Sequence, residues 1–402
     1  VSQQPIRICF VCTHSLTLTT LYKGLFPYLA RQGYEIEVVV GDSEYPLDPK
    51  HFGNVQPHIV PMTRMPHPLK DPVALARMFR FLKAGKFDVV HVSTPKAGLL
   101  GSIAARLVGA RVIFVYRRCV YEMMGGIKRA IFRQNDRIIC ALSDEVLPIS
   151  SQIKAFLLKE RLVSPAKIRM IGSGSSNGID VRRFNPGNIS DDRVAELRSS
   201  LSIPLDAPIL LYLGRVSSEK GVDLLPELLD RVRQRHPATV MVVAGPEDKR
   251  DPPSERTKEI FATHGAIRRI GFVADPSPLY ALADLFVFPS YFEGFGNVLL
   301  EAAAHERVAI GFDVPGVQEA IAHRESGVLV AKGDVAAMSE EAIALLADPE
   351  ARRAMALRAR ARVENHFSNE VIWAELDRTF RDLVAERAAR RLGDQRFMEA
   401  AE

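Results

Sequence analysis

The chain alternates between short, almost wholly apolar runs and longer stretches in which apolar residues recur every three or four positions. Residues 6–12 form the first apolar run, and residues 13–20 after it read as a polar loop. Leu21, Leu25 and Leu29 then stand four apart, as on one face of a helix, and Gly33 stops the pattern. Residues 35–40 alternate into a second strand that ends at Gly41. Two strands joined through a helix lie parallel, because a crossover of that length is what a parallel pair needs. The scheme continues with a helix over 72–84, a strand over 87–92, a helix over about 97–108 and a strand over 111–116.

Residues 172–190, dense in Gly, Ser, Asn and Pro, read as a linker. Beyond it the scheme restarts. A strand over 209–213 leads through GRVSSEKG into a helix over 222–235 and a strand over 239–244. Further strands are expected at 266–272, 285–289 and 308–312, and the segment 355–398 is strongly helical and charged. At 402 residues the chain exceeds what one hydrophobic core usually serves. The fold class is therefore α/β, with two Rossmann-like domains, and ligands are expected beyond the carboxyl ends of the strands.

Charge divides the chain further. Residues 1–178 carry 24 basic against 12 acidic side chains, a balance of +12, and the remainder carries 29 against 36, a balance of −7. So basic a first half points to an anionic partner. Nucleic acid fits poorly, since few aromatic residues interleave with the basic ones. An anionic membrane fits better, as basic residues beside one contribute about 1 kcal/mol each. The expected helix over 72–86 sets Met78, Phe79, Phe81 and Leu82 among Arg77, Arg80, Lys83 and Lys86; it either lies on a membrane or packs on the sheet. No run of about 18 apolar residues exists, and residues 1–7 lack a signal-peptide layout. Four cysteines, Cys9, Cys12, Cys119 and Cys140, do not make a disulfide framework in so long a chain, and a cytoplasmic location is expected. Cys9 and Cys12 lack the second close pair that a metal site needs.

Two stretches carry chemistry. In FPSYFEGFGNVLLE, residues 288–301, a strand ends, a turn bearing Gly294 and Gly296 follows, and a helix begins near Asn297. Free N–H groups at such a helix start favour a phosphate, and the glycines allow close approach of backbone to ligand. Glu293 precedes the turn and Glu301 lies about one turn into the helix, so one carboxylate can reach a sugar and the other a pair of hydroxyls. In GRVSSEKG, residues 214–221, Arg215 and Lys220 follow a strand. Cations fixed there would stabilise charge on a departing phosphate.

Glu293-x7-Glu301, GRVSSEKG and SNGIDVRRF (residues 176–184), in combination, resemble the family-4 retaining glycosyltransferases of GT-B fold, over nearly the whole chain. That resemblance implies two Rossmann-like domains with parallel sheets facing across a cleft. An acceptor-facing domain of residues 1–178 takes back the C-terminal helix of about 372–402, and 179–371 binds the nucleotide sugar. It implies that Glu293 contacts the donor sugar, Glu301 the ribose hydroxyls, and Arg215 and Lys220 the diphosphate. Gly214, Gly294, Phe295, Gly296 and Asn297 line the donor, and main chain near Phe272 and Val273 holds the base. No metal or other cofactor is expected.

VVHVSTPKAGLLG, residues 89–101, resembles the branch that builds bacterial surface polysaccharides on polyprenyl-diphosphate lipids. This implies a hexosyl or N-acetylhexosaminyl transferase with a UDP-sugar donor and a lipid-linked saccharide acceptor, peripheral to the inner face of the cytoplasmic membrane. Acceptor-side candidates are His14, Lys96, Arg117 and the pair Tyr121 and Glu122. The chain departs from the family where Thr13-His14-Ser15 replaces a Gly-Gly pair and where Arg117 replaces a His after the strand over 111–116. An arginine stays protonated and is no general base. Retention then relies on the leaving phosphate to accept the acceptor's proton. Alternatives are a nucleotide-sugar 2-epimerase of the same architecture, a transferase with a soluble acceptor and a non-catalytic binding protein.

Overall fold

The computed structural model describes residues 5–63, 65–119, 121, 124–175 and 177–399, the side chains of 388 and 390–399 excepted. The chain divides into two units, residues 1–178 with 369–402 and residues 179–368.

In the first unit the strands are β1 (Ile6–Cys12), β2 (Tyr34–Val40), β3 (Pro57–Ile59), β4 (Val89–Ser93), β5 (Arg111–Tyr116) and β6 (Glu145–Pro148). They form one parallel sheet in the order β3-β2-β1-β4-β5-β6. Its helices are α1 (Ser15–Leu21), α2 (Leu25–Arg31), α3 (Pro49–Phe52), α4 (Lys70–Gly85), α5 (Pro95–Leu107), α6 (Gly126–Leu142) and α7 (Ser151–Lys159). The inner strands read as near-continuous apolar runs because helices cover both faces of a parallel sheet; every residue of β4 is buried.

The second unit repeats the plan with β7 (Ile209–Leu213), β8 (Val240–Ala244), β9 (Ile267–Ile270), β10 (Leu285–Phe288), β11 (Val308–Phe312) and β12 (Gly327–Val330). Their order is β12-β11-β10-β7-β8-β9, again parallel throughout. The helices are α8 (Asp191–Ser200), α9 (Leu225–Arg233), α10 (Glu255–Thr263), α11 (Ser277–Leu282), α12 (Asn297–Ala304), α13 (Val317–Ala320), α14 (Val335–Ala347) and α15 (Pro349–His366). The last helix, α16 (Asn369–Glu399), belongs to the first unit. There Phe380 sets its ring 6.4 Å from Phe10 and 6.1 Å from both Tyr34 and His91, and the Trp373 indole donates to the Asn177 side chain at 2.8 Å.

Each sheet reverses its winding once, between β1 and β4 in the first and between β7 and β10 in the second. Connections leave these neighbouring strands in opposite directions, so the carboxyl ends of the pair open a crevice. Thr13–Ser15 and Thr94–Lys96 flank one crevice; Gly214–Lys220 and Pro289–Glu293 flank the other.

The structure corrects several expectations. Residues 13–20 are no loop, since α1 begins at Ser15. Asp42, just past β2, accepts from both the amide and the hydroxyl of Ser15 and anchors a helix start that a threonine-rich segment would not hold alone. The 21–29 pattern breaks at Gly24, whose left-handed φ of 80° caps α2. The strand expected at 266–272 ends at Ile270, and the helical 355–398 segment is two helices divided after His366. Of the two readings of the 72–86 helix, packing on the sheet is the one observed: Ala74, Met78 and Leu82 of α4 are buried in the first core. No helix among the described residues is long and apolar enough to cross a membrane.

Candidate functional site

The second crevice is organised by one ion pair. Lys220 closes the short turn after β7 and is buried; its Nζ donates to Glu293 Oε1 at 2.6 Å and to the Phe292 carbonyl at 3.0 Å. The Ser290 hydroxyl donates to the same Glu293 oxygen at 3.1 Å. The Glu293 side chain is 15% exposed and its partner's 11%, so the pair sits close under the surface. Two segments remote in sequence thus meet through a charge-assisted bond.

Glycines make that approach possible. Gly221 has a φ of 68°, and a Cβ on it would lie 1.9 Å from the Pro289 carbonyl oxygen. Gly316, with a φ of 79°, would place a Cβ 2.5 Å from the Glu293 carbonyl oxygen. Gly316 escaped the sequence reading; the Pro315-Gly316 dipeptide marks only a turn. Gly296 is the N-cap of α12, with no side-chain cap, and its φ of −83° needs no glycine; a Cβ there would lie 2.6 Å from the movable Cδ1 of Leu299. Gly294, Phe295 and Asn297 stand half-buried on this turn.

Arg215 is half exposed after β7 and pairs with Asp248, whose carboxyl the Arg250 amide and Arg215 together hold below its ordinary range. Gly214 accepts close approach from Gly245, so the β7 and β8 ends are tied together. Glu301 lies on α12 and accepts from the Tyr280 hydroxyl at 3.0 Å. Tyr280 is fully buried; burial and the Glu301 carboxylate both push its phenol far above the usual value, so it remains a donor. His305 stacks on the Tyr280 ring at 5.6 Å, and burial lowers it to about 4, which keeps it neutral. Neither Tyr280 nor His305 carried a sequence signal, because both act through contacts distant along the chain. Val273 is half-buried and Phe272 is exposed, just past β9.

In the first unit, the Thr13 and Thr94 hydroxyls meet at 2.7 Å across the crevice, and His14 Nδ1 lies 2.7 Å from Asp42. Lys96, in the first turn of α5, is buried and paired with Asp71 rather than solvated. Arg117 follows β5; it donates to the Tyr22 hydroxyl at 2.6 Å and stacks over that ring, while its Nε and Nη1 find no partner among the described residues. His91 beside it is fully buried and lowered to about 3 by burial and by Arg117, so it is neutral. Tyr121 is fully buried under the Arg129 guanidinium, which removes it from contact with any acceptor in this conformation. Glu122, and Ser176 at the head of the linker motif, lie outside the described residues. The four cysteines are free and buried, and burial raises Cys12 to about 11, which leaves a protonated thiol.

Two family models match the chain. One for glycosyl transferase 4-like domains covers residues 22–174, and one for glycosyl transferases group 1 covers residues 194–362. The capsular polysaccharide biosynthesis glycosyltransferase CapM of Staphylococcus aureus is 28% identical over 91% of this chain and 94% of its own. The UDP-Gal:alpha-D-GlcNAc-diphosphoundecaprenol alpha-1,3-galactosyltransferase of Escherichia coli is 22% identical over 85% of this chain and 88% of its own. A solved glycosyltransferase from Rickettsia africae shares the fold, with a TM-score of 0.80 over 95% of this chain and 99% of that one, at 19% identity.

One buried carboxyl of the first unit makes a pH prediction. Asp136 on α6 accepts from the Tyr116 hydroxyl at 2.6 Å, yet burial raises it from 3.8 to about 6. The folded state then holds this proton more tightly than the unfolded state, so stability falls as pH rises between those values. Asp136→Asn keeps an acceptor for Tyr116 without the charge. Its stability relative to wild type should be greater at about pH 7.5 than at about pH 4, by up to roughly 3 kcal/mol in urea unfolding. A difference that does not change with pH would contradict this.

Proposed function

Because the chain is a glycosyltransferase of the GT-B type, with a 4-like first domain and a group 1 second domain, we propose that it is a retaining enzyme. It moves a hexosyl or N-acetylhexosaminyl group from a UDP-sugar onto a polyprenyl-diphosphate-linked saccharide. In this reading the second unit binds the donor and the basic first unit binds the acceptor, at the inner face of the cytoplasmic membrane. The observation that carries it is the buried Lys220–Glu293 pair at the winding reversal of the second sheet. The Escherichia coli relative, whose name gives a UDP-sugar and a diphosphoundecaprenol acceptor, supports the choice of substrates.

The residues then divide the work. The diphosphate draws the Lys220 ammonium and the Arg215 guanidinium toward itself, and Glu293, relieved of its lysine, accepts hydrogen bonds from sugar hydroxyls. Glu301 accepts from the ribose hydroxyls, held in orientation by Tyr280. As the bond between the anomeric carbon and the phosphate oxygen breaks, negative charge grows on the leaving diphosphate where the two cations stand. The acceptor oxygen bonds to the anomeric carbon on the face the leaving group departs from. Its proton passes to the leaving phosphate oxygen, so no protein base is required. The reaction uses no metal.

Release of nucleoside diphosphate from a panel of UDP- and GDP-sugars, with and without polyprenyl-diphosphate-linked saccharides in detergent, tests the reading. UDP should appear from one donor and only with a lipid-linked acceptor, and the new linkage should keep the donor's anomeric configuration. Inversion at the anomeric carbon, or epimer formed without acceptor, would overturn it. Lys220→Ala and Glu293→Gln should each lower kcat by about 100-fold or more with native circular dichroism. Wild-type turnover in either variant contradicts the assignment.

Tyr280→Phe removes a hydrogen bond to a charged group without removing the ring. The donor KM should rise roughly tenfold with kcat nearly unchanged, and the preference for a ribose over a 2′-deoxyribose donor should shrink. A variant that keeps full discrimination would show that Tyr280 does not position Glu301.

A further inference from the structure

Just past β1, the first unit holds an oriented imidazole that the reaction described above does not use. His14 Nδ1 lies 2.7 Å from Asp42 Oδ2. The other oxygen of that carboxylate accepts from the Ser15 hydroxyl at 2.5 Å and from the Ser15 amide at 3.2 Å. The Tyr45 amide in turn donates to the Ser15 hydroxyl at 3.0 Å. The carboxylate is thus fixed from several sides, and it fixes the ring. Burial acts to raise the Asp42 carboxyl, but hydrogen bonds from Ser15, His14 and the Glu44 amide together hold it below its ordinary range. An ionised carboxylate only accepts, so the proton between the two groups belongs to Nδ1. In the neutral ring Nε2 is then a bare acceptor.

Local structure does not account for this arrangement. His14 occupies the N-cap position of α1, yet its side chain makes no capping bond; Asp42 does that work through Ser15. The His14 side chain is 50% exposed, and its Nε2 has no partner among the described residues. An exposed pair of this kind adds little to stability.

The surroundings choose the ligand. One residue earlier, the Thr13 hydroxyl meets that of Thr94 across the crevice, and the Thr13 amide also donates to the Thr94 oxygen at 3.2 Å. Thr94 has a φ of 74°, which a β-branched residue adopts only under strain, and strained residues gather at binding sites. Lys96, the cation on that lip, is buried and committed to Asp71. A phosphate diester or a carboxylate has no proton to give Nε2, whereas a sugar hydroxyl has one. In the proposed reaction the reacting hydroxyl gives its proton to the leaving phosphate, which leaves for His14 a hydroxyl that does not react.

We propose that His14, held by Asp42, recognises a non-reacting hydroxyl of the acceptor saccharide, which donates to Nε2. Asp42 is the positioning residue. The proposal rests on the reading that the first unit binds the acceptor, and it names the group that tells one acceptor sugar from its deoxy form.

Kinetics and nitrogen NMR of the full chain test it. His14→Ala should raise the acceptor KM about tenfold with a smaller effect on kcat. His14→Gln, whose amide oxygen accepts in place of Nε2, should recover most of that loss. One monodeoxy acceptor should cost the wild type about tenfold in KM and the alanine variant no more than about twofold. In Asp42→Asn the amide oxygen still accepts from Ser15, but the amide nitrogen donates to Nδ1, so the ring proton moves to Nε2. That variant should raise the acceptor KM as far as His14→Ala does. With 15N-labelled histidine, at about pH 8.5 where imidazoles are neutral, the His14 signals should change from the Nδ1–H to the Nε2–H tautomer. An acceptor KM that His14→Ala leaves unmoved would overturn the proposal, as would an Nε2–H tautomer in the wild type. Equal penalties in wild type and variant for every monodeoxy acceptor would do the same.

The nitrogen signals also report binding without turnover. Methyl glycosides of hexoses and N-acetylhexosamines, added to the wild type at millimolar concentration, should shift His14 Nε2. A signal that none of them moves would count against the proposal as decisively as an unmoved KM. If they move it while no lipid-linked acceptor supports nucleoside diphosphate release, the hydroxyl site stands and the catalytic reading fails.

Discussion

In the proposed reaction, the contact between the Lys220 ammonium and the Glu293 carboxylate is the constraint on which the second unit's chemistry depends. Both groups lie close under the surface, and bringing them out of water costs several kcal/mol per ion before their attraction is counted. Such a pair is weak evidence for stability, because apolar residues of the same size would hold the turn as well or better. Its value in the proposed reaction is that each charge is kept oriented at a sheet edge, ready to exchange its partner for a ligand. Ser290 and the Phe292 carbonyl accompany the pair, so Glu293 and Lys220 each retain one hydrogen bond when they part. Arg215 and Asp248 repeat the arrangement nearby in a more exposed form.

The architecture explains why the pair forms there. A parallel sheet that reverses its winding leaves two adjacent strand ends with loops turning away from each other, and β7 and β10 are those strands. Backbone must then pass very near backbone, and Gly221 and Gly316 are the positions where a side chain would collide. The first unit has the same opening between β1 and β4, furnished with the Thr13 and Thr94 hydroxyls, His14 and Asp42. The two openings differ in what surrounds them. Arg117 in the first unit is set against neutral Cys12, His91 and Tyr22, with no carboxylate bonded to it among the described residues.

The α/β plan was legible because each inner strand is a short apolar run and each helix has its own periodicity. The edge strands β3, β6 and β12, of three or four residues, were not, although β9 and β10, no longer than these, were expected within the runs 266–272 and 285–289. Helix α1 was missed because its start is held by Asp42, 27 residues away from Ser15. Glu293, Glu301, Arg215 and Lys220 were readable as candidates because they sit in compact motifs right after strands. The partners that orient them were not: Tyr280 reaches Glu301 from another helix, and Gly316 approaches Glu293 from another loop. Lys96 shows a further limit, for a lysine after a strand looks solvated until Asp71 is seen beside it.

A crystal structure of the complex with a UDP-sugar tests the central claim most directly. Lys220 Nζ should lie within hydrogen-bond distance of a diphosphate oxygen, with Arg215 turned from Asp248 toward the same group and Glu293 bonded to the sugar. A diphosphate bound away from both cations, with the Lys220–Glu293 bond intact beneath it, would contradict the account.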